Sequence, residues 1–464
     1  MRLRLAEPPG FPDTHRVNEP HRTLTPSAAS PELSAPVSRA AIMAVVVASL
    51  GYFVDIYDLI LFSVVRVPSL KGLGATESEV LTLGASLISW QMFGMVVGGL
   101  AWGILGDKKG RLSVLFGSII LYSLANIANG LVATVEPGTA WGNLLATLGM
   151  SHGIDQYRAL RFIAGIGLAG ELGAGVTLVS ELLGRHARGY GTTIVATFGI
   201  CGGLMATFVA GKFDWRTAYF VGGGMGLALL VLRIGVVESG MFKTLRTTTV
   251  VRGSLLMLFW PPRRFLRYAA IVLVAVPIWF VVAIPVTFAP EFGKQMGFTE
   301  TLSAPTAIAW TYTGLVLGDL ASGLLSQFLR SRRRALLVFL LFTTATLASF
   351  FIAPRFEREA WSFYTVCAVM GLSIGYWAVF VTTVGELFGT NLRATATTSA
   401  PNLVRGFVPL LTWAWLALVG AGMSHVNAAA VVGFGTIVVA MAALASLPET
   451  YGRHLDFLEG HGRD

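Results

Sequence analysis

Residues 161–188 read RFIAGIGLAGELGAGVTLVSELLGRHAR, a glycine-rich apolar run into which Arg161, Glu171 and Glu181 are set ten residues apart. A charge at bilayer depth is stable only against a partner or a wet cavity, so each of the three marks a candidate functional position. At about 100° per residue, ten residues bring a side chain back to within about 80° of its starting face. The spacing therefore predicts one helix with three charges on a shared flank at three depths, while Gly165, Gly167, Gly170, Gly173 and Gly175 admit a neighbouring helix at close range. Two soluble motifs occur by spelling alone: GIGLAG at 165–170 matches a dinucleotide fingerprint, and GLSIG at 371–375 a nucleophile elbow. Both need a strand running into a tight turn, and both lie here inside long apolar segments, so neither a nucleotide site nor a hydrolase is expected.

Composition extends this reading to the whole chain. With 464 residues, 54% hydrophobic and only 13% charged, it carries more apolar surface than a soluble core can bury. Windows of about 20 apolar residues fall at 40–64, 80–105, 112–133, 157–183, 189–211, 215–236, 267–289, 304–329, 335–353, 361–385, 395–420 and 426–447, which predicts twelve spans. The net charge of +9 does not indicate nucleic acid, because the basic residues alternate with the spans. Lys108, Lys109 and Arg111, then Arg185 and Arg188, then 243–267, then Arg330 to Arg334, then Arg393 all fall on one side of a twelve-span weave. The positive-inside rule makes that side cytoplasmic and places both termini there, in a plasma (inner) membrane protein in contact with lipid. Cys201 and Cys367 lie in separate spans and read as small apolar residues.

The expected organisation is a disordered cytoplasmic tail at 1–38, a six-helix half at 39–237, a central cytoplasmic loop at 238–265, a second six-helix half at 266–448 and a short cytoplasmic tail at 449–464. An internal repeat supports the division. Gly94, Gly98, Leu100, Ala101 and Gly103 recur 220 positions later as Gly314, Gly318, Leu320, Ala321 and Gly323. Glu181-Leu182-x-Gly184 with Arg188 and Thr192-Thr193 recurs 205 positions later as Glu386-Leu387-x-Gly389 with Arg393 and Thr397-Thr398. Two like-oriented halves on one plan predict an all-α transporter architecture with a substrate site between the halves near the bilayer midplane.

These residues resemble the major facilitator superfamily. Gly103-Ile104-Leu105-Gly106-Asp107-Lys108-Lys109-Gly110-Arg111 is similar to its signature between spans two and three, and Asp55-Ile56-Tyr57-Asp58 to the Asp-x-Tyr-Asp of phosphate:proton symporters. Span four, with Arg161 and Gly170-Glu171-Leu172-Gly173, resembles the metabolite:proton and phosphate:proton symporter branches, and Pro448-Glu449-Thr450-Tyr451-Gly452 the ending of sugar and organic-acid porters. The chain departs from the phosphate pattern, having Glu171-Leu172-Gly173 where that branch carries Asp-Tyr-Pro, and its fifth span lacks the Gly-Pro pair of antiporters. The resemblance implies spans one, two, four, seven, eight, ten and eleven around a cavity, and a coupling pair in which Asp58, after Tyr57, faces Arg161.

On this basis Asp55, Asp58, Arg161 and Glu171 are the expected proton-coupling residues, since two carboxylates three positions apart in low dielectric do not readily ionise together. Gln91, Trp279, Tyr376, Trp377, Asn402, Arg405 and Asp319 are the expected substrate groups, with Trp90, Asn126, Asn129, Trp310 and Tyr312 as further polar and aromatic groups; Asp319 either pairs with Arg405 or leaves it to the substrate. Asp107, Lys108 and Arg111 with Glu181 and Arg188, and Glu386 with Arg393 in the second half, are expected to form ion pairs that latch the cytoplasmic mouth. Arg161 and Arg405 place a guanidinium in each half, suited to a carboxylate or phosphate. The expected protein is a monomeric secondary active transporter importing a small anionic or zwitterionic metabolite with protons, without cofactor, metal, enzymatic activity or nucleic-acid partner. An exporter or exchanger is the alternative within transport, and a transport-dead membrane sensor the alternative outside it.

Overall fold

The computed structural model describes residues 39–464 apart from 110, 136–137, 174, 176–178, 180–182, 184–187, 239–254, 353–358, 454–456, 458 and 460–464. In lipid every backbone polar group must be satisfied within its own segment, which leaves helices as the means by which so apolar a chain can cross. The helices are α1 (Arg39–Gly72), α2 (Val80–Lys109), α3 (Arg111–Gly130), α4 (Ala140–Thr147), α5 (Gly153–Leu168), α6 (Arg188–Lys212), α7 (Trp215–Glu238), α8 (Pro262–Val281), α9 (Ala289–Met296), α10 (Ala304–Phe328), α11 (Arg332–Ile352), α12 (Ala360–Ser373), α13 (Trp377–Leu387), α14 (Thr390–Gly420) and α15 (His425–Ser446). Among the described residues ten helical stretches are long and apolar enough to span a membrane, with α12 and α13 together making one of them. The windows expected at 112–133 and 157–183 appear as the shorter described helices α3 and α5. The end of the bundle where α1 begins is called the near end below, and the opposite one the far end.

The packing repeats as the sequence does. In the first half α1 lies along α6, α2 along α5, and α3 along α7; in the second half α8 lies along α14, α10 along α12, and α11 along α15. Two seams join the halves, α2 against α14 and α10 against α6, and they are the same pairing viewed from either half. Glycines set the spacing: a Cβ on Gly94 or Gly98 would overlap the carbonyls of Phe162 and Ile166, and one on Gly314 or Gly318 those of Ala368 and Leu372.

Two expectations change here. The stretch 161–188 is not one continuous helix, because α5 stops at Leu168 and turns at Ala169–Gly170 before helix resumes at Glu171. Glycine costs roughly 1 kcal/mol per helical position, and Gly167, Gly170 and Gly173 crowd this point. The hundred-degree count therefore fails beyond Ala169. The second half breaks at the corresponding place, 205 positions on, where Gly375 stands for Gly170 and α12 gives way to α13 across 374–376. Glu459, expected within a cytoplasmic tail, is also anchored. Glu459 is buried, receives Arg264 Nε at 3.0 Å and Arg267 Nη2 at 2.8 Å, and exchanges backbone hydrogen bonds with the Asn391 carboxamide at 3.0 and 3.1 Å.

Candidate functional site

At mid-depth, side chains from both halves converge on Arg405 of α14. Its guanidinium lies over Trp279 of α8 at 5.2 Å and over Trp377 of α13 at 5.4 Å, and the two indoles stand 6.3 Å apart at 71°. Nη1 donates to Asn402 Oδ1 at 3.2 Å, and Nε has no partner. Asp55 and the Tyr52 hydroxyl of α1 and the Tyr312 hydroxyl of α10 are the other groups within electrostatic reach of it. Each of these side chains is at most 5% exposed, although they come from five helices. Both indole Nε1 atoms and Asp55 Oδ1 are also without hydrogen-bond partners. Buried polar atoms are normally paired, so a cluster of orphans at the seam of two halves is suited to a ligand.

Asp319 does not pair with Arg405: no nitrogen–oxygen contact within 4 Å joins them among the described ion pairs. Its Oδ1 instead accepts the Ala378 backbone N–H at 2.7 Å, capping α13 from the neighbouring helix, and its Oδ2 has no partner. Tyr376, at the break, donates its hydroxyl to the Val274 carbonyl at 3.0 Å. Asn402 donates Nδ2 at 2.8 Å to the Ala169 carbonyl, at the span-four break, and so joins the two halves. Gln91 is buried away from this cluster and holds α2 to α1 through the Leu59 carbonyl at 3.3 Å.

The expected coupling residues separate into two groups. Asp58 is fully buried on α1 against Gly222 of α7, and both its carboxylate oxygens lack partners. Arg161 is equally buried, lying 5.6 Å from the Phe62 ring and 5.7 Å from that of Tyr219, with no hydrogen bond to its guanidinium. Arg161 is the cation that acts on Asp58, yet no contact within 4 Å joins them. They are neighbours, not an ion pair. Glu171 is committed elsewhere: Arg233 of α7 grips it with both terminal nitrogens, Nη1 at 2.8 Å from Oε2 and Nη2 on Oε1. Gly51 makes room for this pair, since a Cβ there would overlap Glu171 Oε1 and Arg233 Nη2. Asp55 lies between the groups, with Glu171, Arg405, Asp58 and Arg233 as the charges acting on it.

The sequence reading passed over Arg233 and the pair that closes the far end. Arg66 of α1, fully buried, places Nη1 2.8 Å and Nη2 3.0 Å from the Glu291 carboxylate of α9, with its guanidinium 4.4 Å above Phe288. Arg233 in VLRIGV and Arg66 in SVVRVP were both visible as lone charges within apolar runs. Toward the near end the halves meet through the Thr192–Thr382 hydroxyls at 2.8 Å. The halves thus touch toward both ends, and the central side chains between these contacts are buried. The side chains of Asp107, Lys108, Arg111, Glu181 and Arg188 lie outside the described residues. Glu386 is described: it receives Arg332 Nε and Nη2, each at 3.3 Å, and the Thr450 hydroxyl at 2.9 Å, while Arg393 Nε donates to the Gly385 carbonyl at 3.0 Å. These partners belong to the second half.

Comparison with known proteins agrees with this architecture. A putative metabolite transport protein of Haemophilus influenzae is 26% identical over 431 residues, covering 89% of this chain and 97% of that protein. The niacin transporter NiaP of Acinetobacter baylyi is 30% identical over 197 residues, 42% of this chain and 40% of its own length. The solved proton:xylose symporter XylE superposes with a TM-score of 0.65 at 18% identity, over 90% of this chain and 98% of that one. The Major Facilitator Superfamily model matches residues 48–408, and the chain belongs to that family as a multi-pass membrane transporter and not an enzyme.

Proposed function

We propose that this protein is a proton-coupled symporter that imports a small, flat organic acid. The observation that carries the reading is Arg405, held between two indoles in the interior with an unpartnered Nε. A guanidinium recognises a carboxylate through paired donors, and indole faces suit a planar body. Niacin, the cargo named for one relative, has that shape and charge. The absence of the antiporter Gly-Pro pair from span five favours symport.

Coupling is assigned to Asp58 and Arg161. Unjoined here, the two come together or part as α1 and α5 shift within the first half during transport, so that the proton on Asp58 follows conformation. Uptake of a labelled aromatic carboxylate into proteoliposomes tests the whole reading. An inward proton gradient is expected to drive accumulation, and Asp58→Asn to abolish it while substrate counterflow persists. Transport restricted to neutral sugars or cations overturns the anion reading, and undiminished accumulation by the variant removes Asp58 from coupling.

A further inference from the structure

We propose that Asp319 selects which acids are carried, by accepting a hydroxyl or N–H donor at the end of the substrate opposite the carboxylate held by Arg405. This rests on the organic-acid reading above and adds a second recognition point to it. Asp319 is fully buried on α10, and its two oxygens differ. Oδ1 is fixed at 2.7 Å by the Ala378 N–H, with the Trp377 backbone N–H also close to the carboxylate, while Oδ2 is buried and makes no hydrogen bond. An unsatisfied carboxylate oxygen is costly in the interior, and the cost is relieved by a ligand that brings a donor.

The surroundings leave that task to the ligand. Trp377, the residue before Ala378, carries an unpartnered indole N–H of its own and stacks on Arg405, and Tyr52 lies within electrostatic reach of both the guanidinium and the Asp319 carboxylate, which do not touch each other. An acid and a base that do not neutralise each other can bracket a molecule with complementary ends. The predicted substrate has a carboxylate, a planar ring and a donor on the far edge. An acceptor at that edge would be turned against Oδ2 and rejected, and an acid with nothing there would leave the oxygen unpaired.

Titration calorimetry on the protein in lipid nanodiscs, with benzoate, 4-hydroxybenzoate and 4-methoxybenzoate as probes, tests this. 4-Hydroxybenzoate is expected to bind about tenfold or more tighter than benzoate, the range of a hydrogen bond to a charged group, and 4-methoxybenzoate more weakly than either. Asp319→Asn keeps an oxygen for the Ala378 N–H and presents an amide donor in place of Oδ2. In that variant the hydroxy-to-methoxy affinity ratio is expected to collapse or invert. An unchanged ratio overturns the role of Asp319. Equal binding of benzoate and 4-hydroxybenzoate by the parent overturns the donor requirement while leaving the organic-acid reading in place, and no binding of any probe overturns both. Should the variant fail to fold, 4-aminobenzoate against 4-dimethylaminobenzoate repeats the donor comparison in the parent, where equal affinities overturn the proposal.

Discussion

Glu171 and Arg233 occupy positions that neither could hold alone, at 1% and 5% side-chain exposure. Removing one member of a buried pair strands the other charge, at a cost of roughly 3–5 kcal/mol, whereas replacing both with apolar residues is often neutral. Arg233→Met is therefore expected to lower the melting temperature of the detergent-solubilised protein sharply, and Arg233→Met with Glu171→Leu to recover most of the loss. If the double variant melts no higher than the single one, the two residues are not acting as a pair. At this scale the sequence was informative about residue type and much less so about partners. Arg405, Trp279, Trp377 and Asn402 do assemble in the interior. Glu171 and Asp319 instead meet an arginine and a backbone N–H that spacing along one helix cannot foretell, because both partners come from other helices.

Among the elements, the clearest asymmetry lies between spans one and seven. Span one continues as a single helix to Gly72, whereas span seven loosens into a π-helical segment at Val282–Val286, around Pro285, before α9. Their far ends meet through Arg66 and Glu291. A bidentate pair between the halves must part for the far end to open, so Glu291→Gln is expected to favour far-open conformers. With Cys201 and Cys367 replaced, a cysteine at the buried Ser69 should then react with a water-soluble maleimide about tenfold faster, corresponding to about 1.4 kcal/mol of lost closure. The charge exchange Arg66→Glu with Glu291→Arg should slow it again. Identical labelling of parent and Glu291→Gln would exclude the pair as a gate. Hydropathy located these spans but could not show where they break, since the interruptions at Ala169–Gly170 and 374–376 leave apolar content unchanged.

Over the whole molecule, the repeat read at 220 and 205 positions is the feature that carried furthest, because helix pairings and both seams follow it. A glycine pattern that allows α2 to lie on α5 allows α10 to lie on α12, so one local rule applied twice generates most of the bundle. The chain end did not follow from such a rule. Residues 449–464 read as a short cytoplasmic tail, and the sequence gives no sign that Glu459 within it is held by Arg264, Arg267 and Asn391, with Arg264 in turn binding the carbonyls of Met257 and Trp260.

That anchored glutamate determines how the protein can be handled. An affinity tag or fluorescent fusion joined just beyond Glu459 begins almost at a buried contact. Tagging there is expected to loosen the clasp on the first turns of α8 and α14, while an amino-terminal tag leaves it untouched. Truncation after Arg453 should behave as the extreme case, with a lower melting temperature and a broader size-exclusion profile than the full chain; matching profiles would show the clasp to be dispensable. Preparations that differ only in where the tag was placed are thus expected to differ in thermal stability and, because α14 carries Arg405, in apparent affinity for substrate.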